Sequence, residues 1–231
     1  MELSEITDEI RSKGHWDVAI RPEPFIEDRV DYADLDEIMV RAVVRLRGWP
    51  VPYIDHREEP LRGDDWIGHD IGAEGGAHYE AWRFFTSGQF NHLRAVSADW
   101  RTGHEVTAVP DGFNAVIEVW EILFYLTEVF ELAARLALGP AGDERTTLDV
   151  RLHGLRDRAL VVAHPGRMPF TTPHRTNSES LRQTVTVSRD ALVAEGRQEA
   201  AKAARKLFLR FGWKPSIDQL AEHQRDLTER S

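Results

Sequence analysis

The chain is 231 residues long with a formal charge of −10 at pH 7, and 42% of it is hydrophobic against 29% charged. That balance excludes a disordered or collagen-like chain and leaves enough apolar side chains for a sizeable core. The absence of cysteine excludes disulfides, a thiolate nucleophile and a Cys-ligated zinc site.

From Gly14 to Arg21, Trp16, Val18 and Ile20 alternate with polar or small residues, the pattern of a half-buried strand that Pro22 and Pro24 should end. Between Tyr32 and Arg47 the apolar residues recur at spacings of three and four, which predicts a helix capped by Asp31 and stopped at Gly48. A polar loop then runs from Val51 to Gly76, with one short strand near Trp66 to His69. His78 to Phe85 and Gln89 to Val96 flank Thr86-Ser87-Gly88 and read as a hairpin. Pro110 and Asp111 open a long helix to Leu138, apolar around most of its circumference and so buried centrally or at an oligomer contact. Its glutamates make it a poor membrane span.

Leu148 to Leu152 alternates as a strand, Gly154 to Asp157 is a turn, and Ala159 to Ala163 is read as the returning strand. Another strand is expected at Leu181 to Val187. Ser188 caps a helix to Phe211, and Ser216 with Gln219 forms the capping box of a last helix burying Ile217, Leu220 and Leu227. Hairpins alternating with helices, one long buried central helix and a C-terminal helical pair predict an α+β fold. We read it as a single domain over 1–231, with an acidic lobe at 1–139 packed on a basic lobe at 145–231 as the finer division.

Charge and aromatic residues suggest where function resides. Residues 1–144 hold 29 acidic and 13 basic side chains, a balance of −16, whereas residues 145–231 hold 10 and 16, a balance of +6. The acidic chain is a poor general binder of polyanions, so nucleic-acid contact is confined to the basic second half, through Arg197, Lys202, Arg205, Lys206 and Arg210 on one helix. Seven tryptophans and the apolar central helix point instead to a protein partner or self-association, with Trp120, Phe124 and Phe130 as contact residues. His56, His69, Asp70 and His78 offer nitrogen and carboxylate donors of the kind a hydrolytic metal site needs, but without a metal-binding spacing; no metal or other cofactor is expected. No G-x-S-x-G elbow or phosphate-binding glycine loop occurs, and Gly72 to Gly76 lacks the G-K-[ST] ending. Arg158 and His164 match a nuclease-type R-x(4–6)-H spacing, in a segment that reads as a strand where that pattern needs a helix.

Arg45-Leu46-Arg47-Gly48-Trp49-Pro50-Val51-Pro52-Tyr53-Ile54, read as a helix end, and Ser87-Gly88-Gln89-Phe90 resemble segments of uncharacterised bacterial proteins. The resemblance attaches no activity and implies a bacterial setting. The opening residues, Met1 to Glu5, carry no secretory pattern, so the expected location is cytoplasmic and off the membrane. Together these readings predict a non-enzymatic binding or accessory subunit acting through protein contacts. The alternatives are a nucleic-acid-associated protein, in a defence role for example, and a metal-dependent hydrolase.

Overall fold

The computed structural model describes residues 4–47, 49–72, 78–103, 106–163 and 167–225. Expectations about Gly48, residues 73–76 of the glycine segment, His164 and Leu227 lie outside the described residues. The fold is α+β. In chain order its elements are α1 (Glu5–Arg11), β1 (His15–Glu23), α2 (Leu35–Ala42), β2 (Val44–Arg47), β3 (Trp49–Val51), β4 (Leu61–Arg62), β5 (Trp66–Gly72), β6 (Tyr79–Phe85) and β7 (Phe90–Ala95). There follow β8 (Ala115–Glu118), α3 (Val119–Leu138), β9 (Arg145–His153), β10 (Arg158–Val161), β11 (His174–Arg175), β12 (Ser180–Ser188), α4 (Arg189–Arg210) and α5 (Ile217–Arg225).

Seven strands form an antiparallel sheet in the order β12-β9-β1-β7-β6-β5-β4. Period-two alternation gives it one apolar face, with Trp16, Val18 and Ile20 of β1 beside Leu148, Val150 and Leu152 of β9. Trp16 meets Tyr125 of α3 at 5.1 Å between ring centroids, which places the central helix across this face. One apolar cluster then runs from Trp16 through α2 and α3 to Leu220 of α5. The two halves interleave, since β1 lies between β7 and β9. No helix among the described residues is long and apolar enough to cross a membrane.

Local chemistry accounts for the elements that match. Gly88, with φ of +78°, turns the β6–β7 hairpin and donates its N–H to the Phe85 carbonyl. Ser188 Oγ accepts the Ala191 N–H at the start of α4, and Ser216 and Gln219 exchange the two bonds of a capping box. The side chain of Asp31 accepts the Ala33 N–H, heading a 3₁₀ turn, Tyr32–Asp34, from which α2 continues. Small residues on α4, Gly196, Ala200, Ala203 and Ala204, let it lie close on α3; a Cβ on Gly196 would stand 3.9 Å from the Phe130 carbonyl.

Four expectations are corrected. The helix predicted to Arg47 ends at Ala42, and Arg45 to Arg47 form a strand paired with Trp49–Val51, not a helix end. β-Branched Val43 and Val44 leave the helix, and Arg47 is drawn to Glu128 of α3 by bonds of 2.8 and 2.5 Å. The long helix begins at Val119 rather than near Pro110, because Val116 and Ile117 pair with Ala159 and Leu160 as strand β8. β10 does not return along β9: it pairs in parallel with β8 in a separate three-stranded sheet, with β11 on its other side. β1 passes through Pro22 to Glu23, which a proline tolerates because β7 pairs with β1 only as far as Ile20.

The corner where β8 and β10 meet the large sheet is held by a buried ion pair. Arg158 donates from Nη1 and Nη2 to the two carboxylate oxygens of Asp99, both at 2.6 Å, and also to the carbonyls of Gly154 and Val116. Removing one partner strands the other charge in the interior. Asp99→Ala should therefore cost about 3–5 kcal/mol, lowering the melting temperature by roughly 10 °C for a chain of this size. The double variant Asp99→Ala/Arg158→Leu should recover part of that loss in the same thermal melt; additive losses would show the pair to be uncoupled.

Candidate functional site

The expected contact residues on the central helix face inward. Every residue of α3 is buried except Phe124, Glu131, Arg135 and Leu138. Phe130 is fully enclosed by this chain, and Trp120 is covered by Arg167, 4.9 Å above its ring, and by His223 of α5. Phe124 is half-buried beside Arg47. The apolar circumference of the helix is thus covered from within the chain by the sheet, α2, α4 and α5.

The buried polar side chains of α3, and Glu118 at the end of β8, meet neighbours on other elements. Tyr125 Oη lies 3.0 Å from Nδ1 of His92, whose Nε2 is 3.4 Å from Glu80. Glu80 also meets His78 at 2.8 Å and accepts the Tyr53 N–H. Burial works to raise the Glu80 carboxyl, but the bonds from His78 and His92 outweigh it and hold the group below the usual carboxylate range. Burial raises the Tyr125 phenol, so that it stays protonated and donates to His92. Glu128 takes Arg47, with Arg94 at 3.8 Å, and Glu118 takes Arg101 and Thr107 at 2.6 Å each. Glu121 receives the Ser97 N–H on Oε1, while its Oε2 meets no donor among the described residues.

The metal-ligand candidates are dispersed. His56 is exposed, and His69 packs on Trp82 in the interior, where burial pushes its imidazole down. Asp70 points to the opposite face of β5 and pairs with Arg83 at 2.7 Å. His78 is committed to Glu80 under the ring of Trp49. Among the described residues, no three His, Asp or Glu side chains gather in a way that could hold a metal.

The basic residues of α4 divide by environment. Lys202 is bonded to Glu199 at 2.6 Å, and Arg205 to the Pro215 carbonyl at 2.9 Å, so both serve the helix and its C-terminal turn. Arg197 is exposed on the earlier part of the helix. Lys206 and Arg210 make no hydrogen bond or ion pair with any described residue, and both line a cleft of about 340 Å³ against β12. Leu181, Arg182 and Gln183 form one wall of it, and Leu207 and Leu209 complete the other. β12 is the end strand of the sheet, hydrogen-bonded only to β9, and no described strand covers its far side.

The sequence singles out Lys206 and Arg210, as nucleic-acid candidates, but not Leu181, Arg182, Gln183 or Leu209, which line the same cleft. The alternation in Leu181 to Val187 marks a strand, yet nothing in it marks the strand as an edge. Comparison with protein-family models, with curated proteins and with solved structures finds no match to this chain.

Glu121 supplies a titratable check on this arrangement. Burial without a full set of donors raises its carboxyl above the ordinary glutamate range. The folded chain then holds that proton to higher pH than the unfolded chain does. Its contribution to stability is fully present below the ordinary range and is lost as pH climbs through the raised value. Glu121→Gln should melt higher than the parent chain at pH 8 and together with it at pH 4; parallel melting curves across that range would refute the assignment.

Proposed function

We propose that this chain is a non-enzymatic binding subunit of a bacterial cytosolic complex, docking an extended acidic segment of a partner protein along β12. The observation that carries this reading is the cleft between the free edge of β12 and the overhanging end of α4. A strand edge offers unpaired backbone donors and acceptors in the spacing that another peptide strand matches. Lys206 and Arg210 supply positive charge that an acidic segment would neutralise, Arg182 beside them being held by Asp149. Leu181, Leu207 and Leu209 supply the apolar floor. The bacterial setting rests on the two sequence resemblances.

Nucleic acid is the competing occupant, favoured by the same two cations. It fits less well, because phosphates gain nothing from a strand edge and the first 144 residues carry −16. The test is fluorescence anisotropy with a labelled eight-residue peptide alternating Glu with Val, the same peptide with Lys for Glu, and a single-stranded 20-mer oligonucleotide. The acidic peptide should bind with Kd on the order of 10–100 μM, the lysine peptide should not, and Lys206→Glu/Arg210→Glu should weaken the acidic peptide at least tenfold. Equal binding of both peptides would overturn the reading. So would tighter oligonucleotide binding that the double variant abolishes, which would transfer the site to nucleic acid.

A further inference from the structure

The second face of the seven-stranded sheet carries a feature that the edge of β12 does not explain. Helix α1 covers only its β5–β7 side, where Ile10 packs on Ala81, Leu93 and Ala95. Beside α1 the face opens into a cavity of about 330 Å³ whose floor is built from four strands. Register fixes the floor plan. Asp17 stands between Arg151 and Leu93, and Ala19 stands between Asp149 and Asn91. Arg83 follows Asn91 on the next strand, and Leu93 is followed by Ala81. The two alanines leave the hollow; Arg11, Thr7 and Ser4 of the α1 region form its wall.

Charge in this cavity runs against the rest of the chain. Arg11, Arg21, Arg83 and Arg151 line it against Asp17 and Asp149, on a molecule whose net charge is −10. Asp149 is surrounded by three guanidinium groups, but only Arg182 hydrogen-bonds to it. Arg21 and Arg151 each stop at 3.7 Å, with side chains 43% and 41% exposed, so their donors face the cavity with most of their capacity unused. Arg83, by contrast, is fixed by Asp70 and by the ring of Trp66 at 4.7 Å. Gln89, whose Nε2 donates to Asn91 Oδ1 at 3.0 Å, and Asn91 add neutral donors and acceptors, and Phe85 and Leu93 add apolar surface.

From this we infer that the open sheet face binds a small anion, a metabolite with a phosphate or carboxylate head and a compact polar or planar body. Planar guanidinium forks suit both heads by paired N–H bonds. The head takes the donors of Arg21 and Arg151 that Asp149 leaves unbonded; the body lies over Ala19, against the Gln89 and Asn91 amides and Phe85. The volume admits a molecule about the size of a mononucleotide or smaller.

Isothermal titration with adenosine 5′-monophosphate, 4-hydroxybenzoate and uncharged adenosine tests the inference and separates the two heads. At least one of the two anions should bind below 1 mM while adenosine does not. Ala19→Leu, which fills the hollow from its floor, and Arg21→Gln/Arg151→Gln should each weaken that binding tenfold or more. Arg41→Gln, on α2 and outside the lining of the cavity, should leave it unchanged. A circular-dichroism melt of Ala19→Leu within a few degrees of the parent keeps the comparison one of binding. Failure of both anions to bind, adenosine binding as tightly as its phosphate, or unaltered affinity in the two cavity variants would overturn it.

Discussion

Helix α3 is apolar on nearly every side yet carries Glu121, Tyr125 and Glu128 into the interior, with Glu118 just before it at the end of β8, and the fold brings each of these to a partner. Glu128 draws Arg47 from β2 and faces Arg94 from β7. Tyr125 reaches His92, and through it Glu80 on β6. Buried pairs of this kind add little net stability over a well-packed apolar contact, but any sliding of the helix over the sheet would leave charges unpaired. They therefore set the register of the helix against strands β2, β6 and β7, while Trp16, Val18 and Ile20 supply the apolar area.

That register explains the corrected elements. Arg47 can answer Glu128 only if the chain leaves α2 early and extends, so β2 forms where helical spacing continues. The start of α3 is set by the pairing of Val116 and Ile117 with β10, and by Arg158, which binds the Val116 carbonyl while clamping Asp99. The uneven charge of the two halves is partly spent inside the molecule in the same way. Asp99 meets Arg158, and Glu23 lies 3.7 Å from Arg145, each pair joining an acidic-half residue to a basic-half one.

With one face of the sheet committed to α3, the outer face and the far edge of β12 remain uncovered among the described residues. The outer face carries a polar pattern of Asp and Arg beside α1, and among the described residues no strand pairs with the far side of β12, from which the chain turns into α4. Among the seven tryptophans only Trp49 is exposed, at 39%, so the aromatic content belongs largely to the core and not to a contact surface.

The sequence alone was enough for the α+β class, the β6–β7 hairpin around Gly88, the caps at Asp31, Ser188 and Ser216, and the burial of the central helix, because each rests on short-range spacing or on a single side chain bonding its own backbone. It could not place the ends of α2 and α3, since Val43, Val116 and Ile117 suit either state and their choice depends on strands and ion pairs tens of residues away. Nor could it show which strand is the edge, that β10 joins β8, or that Arg21, Arg151 and Asp149 share one hollow. Those are relations between separate strands, decided only when tertiary packing sets which of them become neighbours and which face is left open.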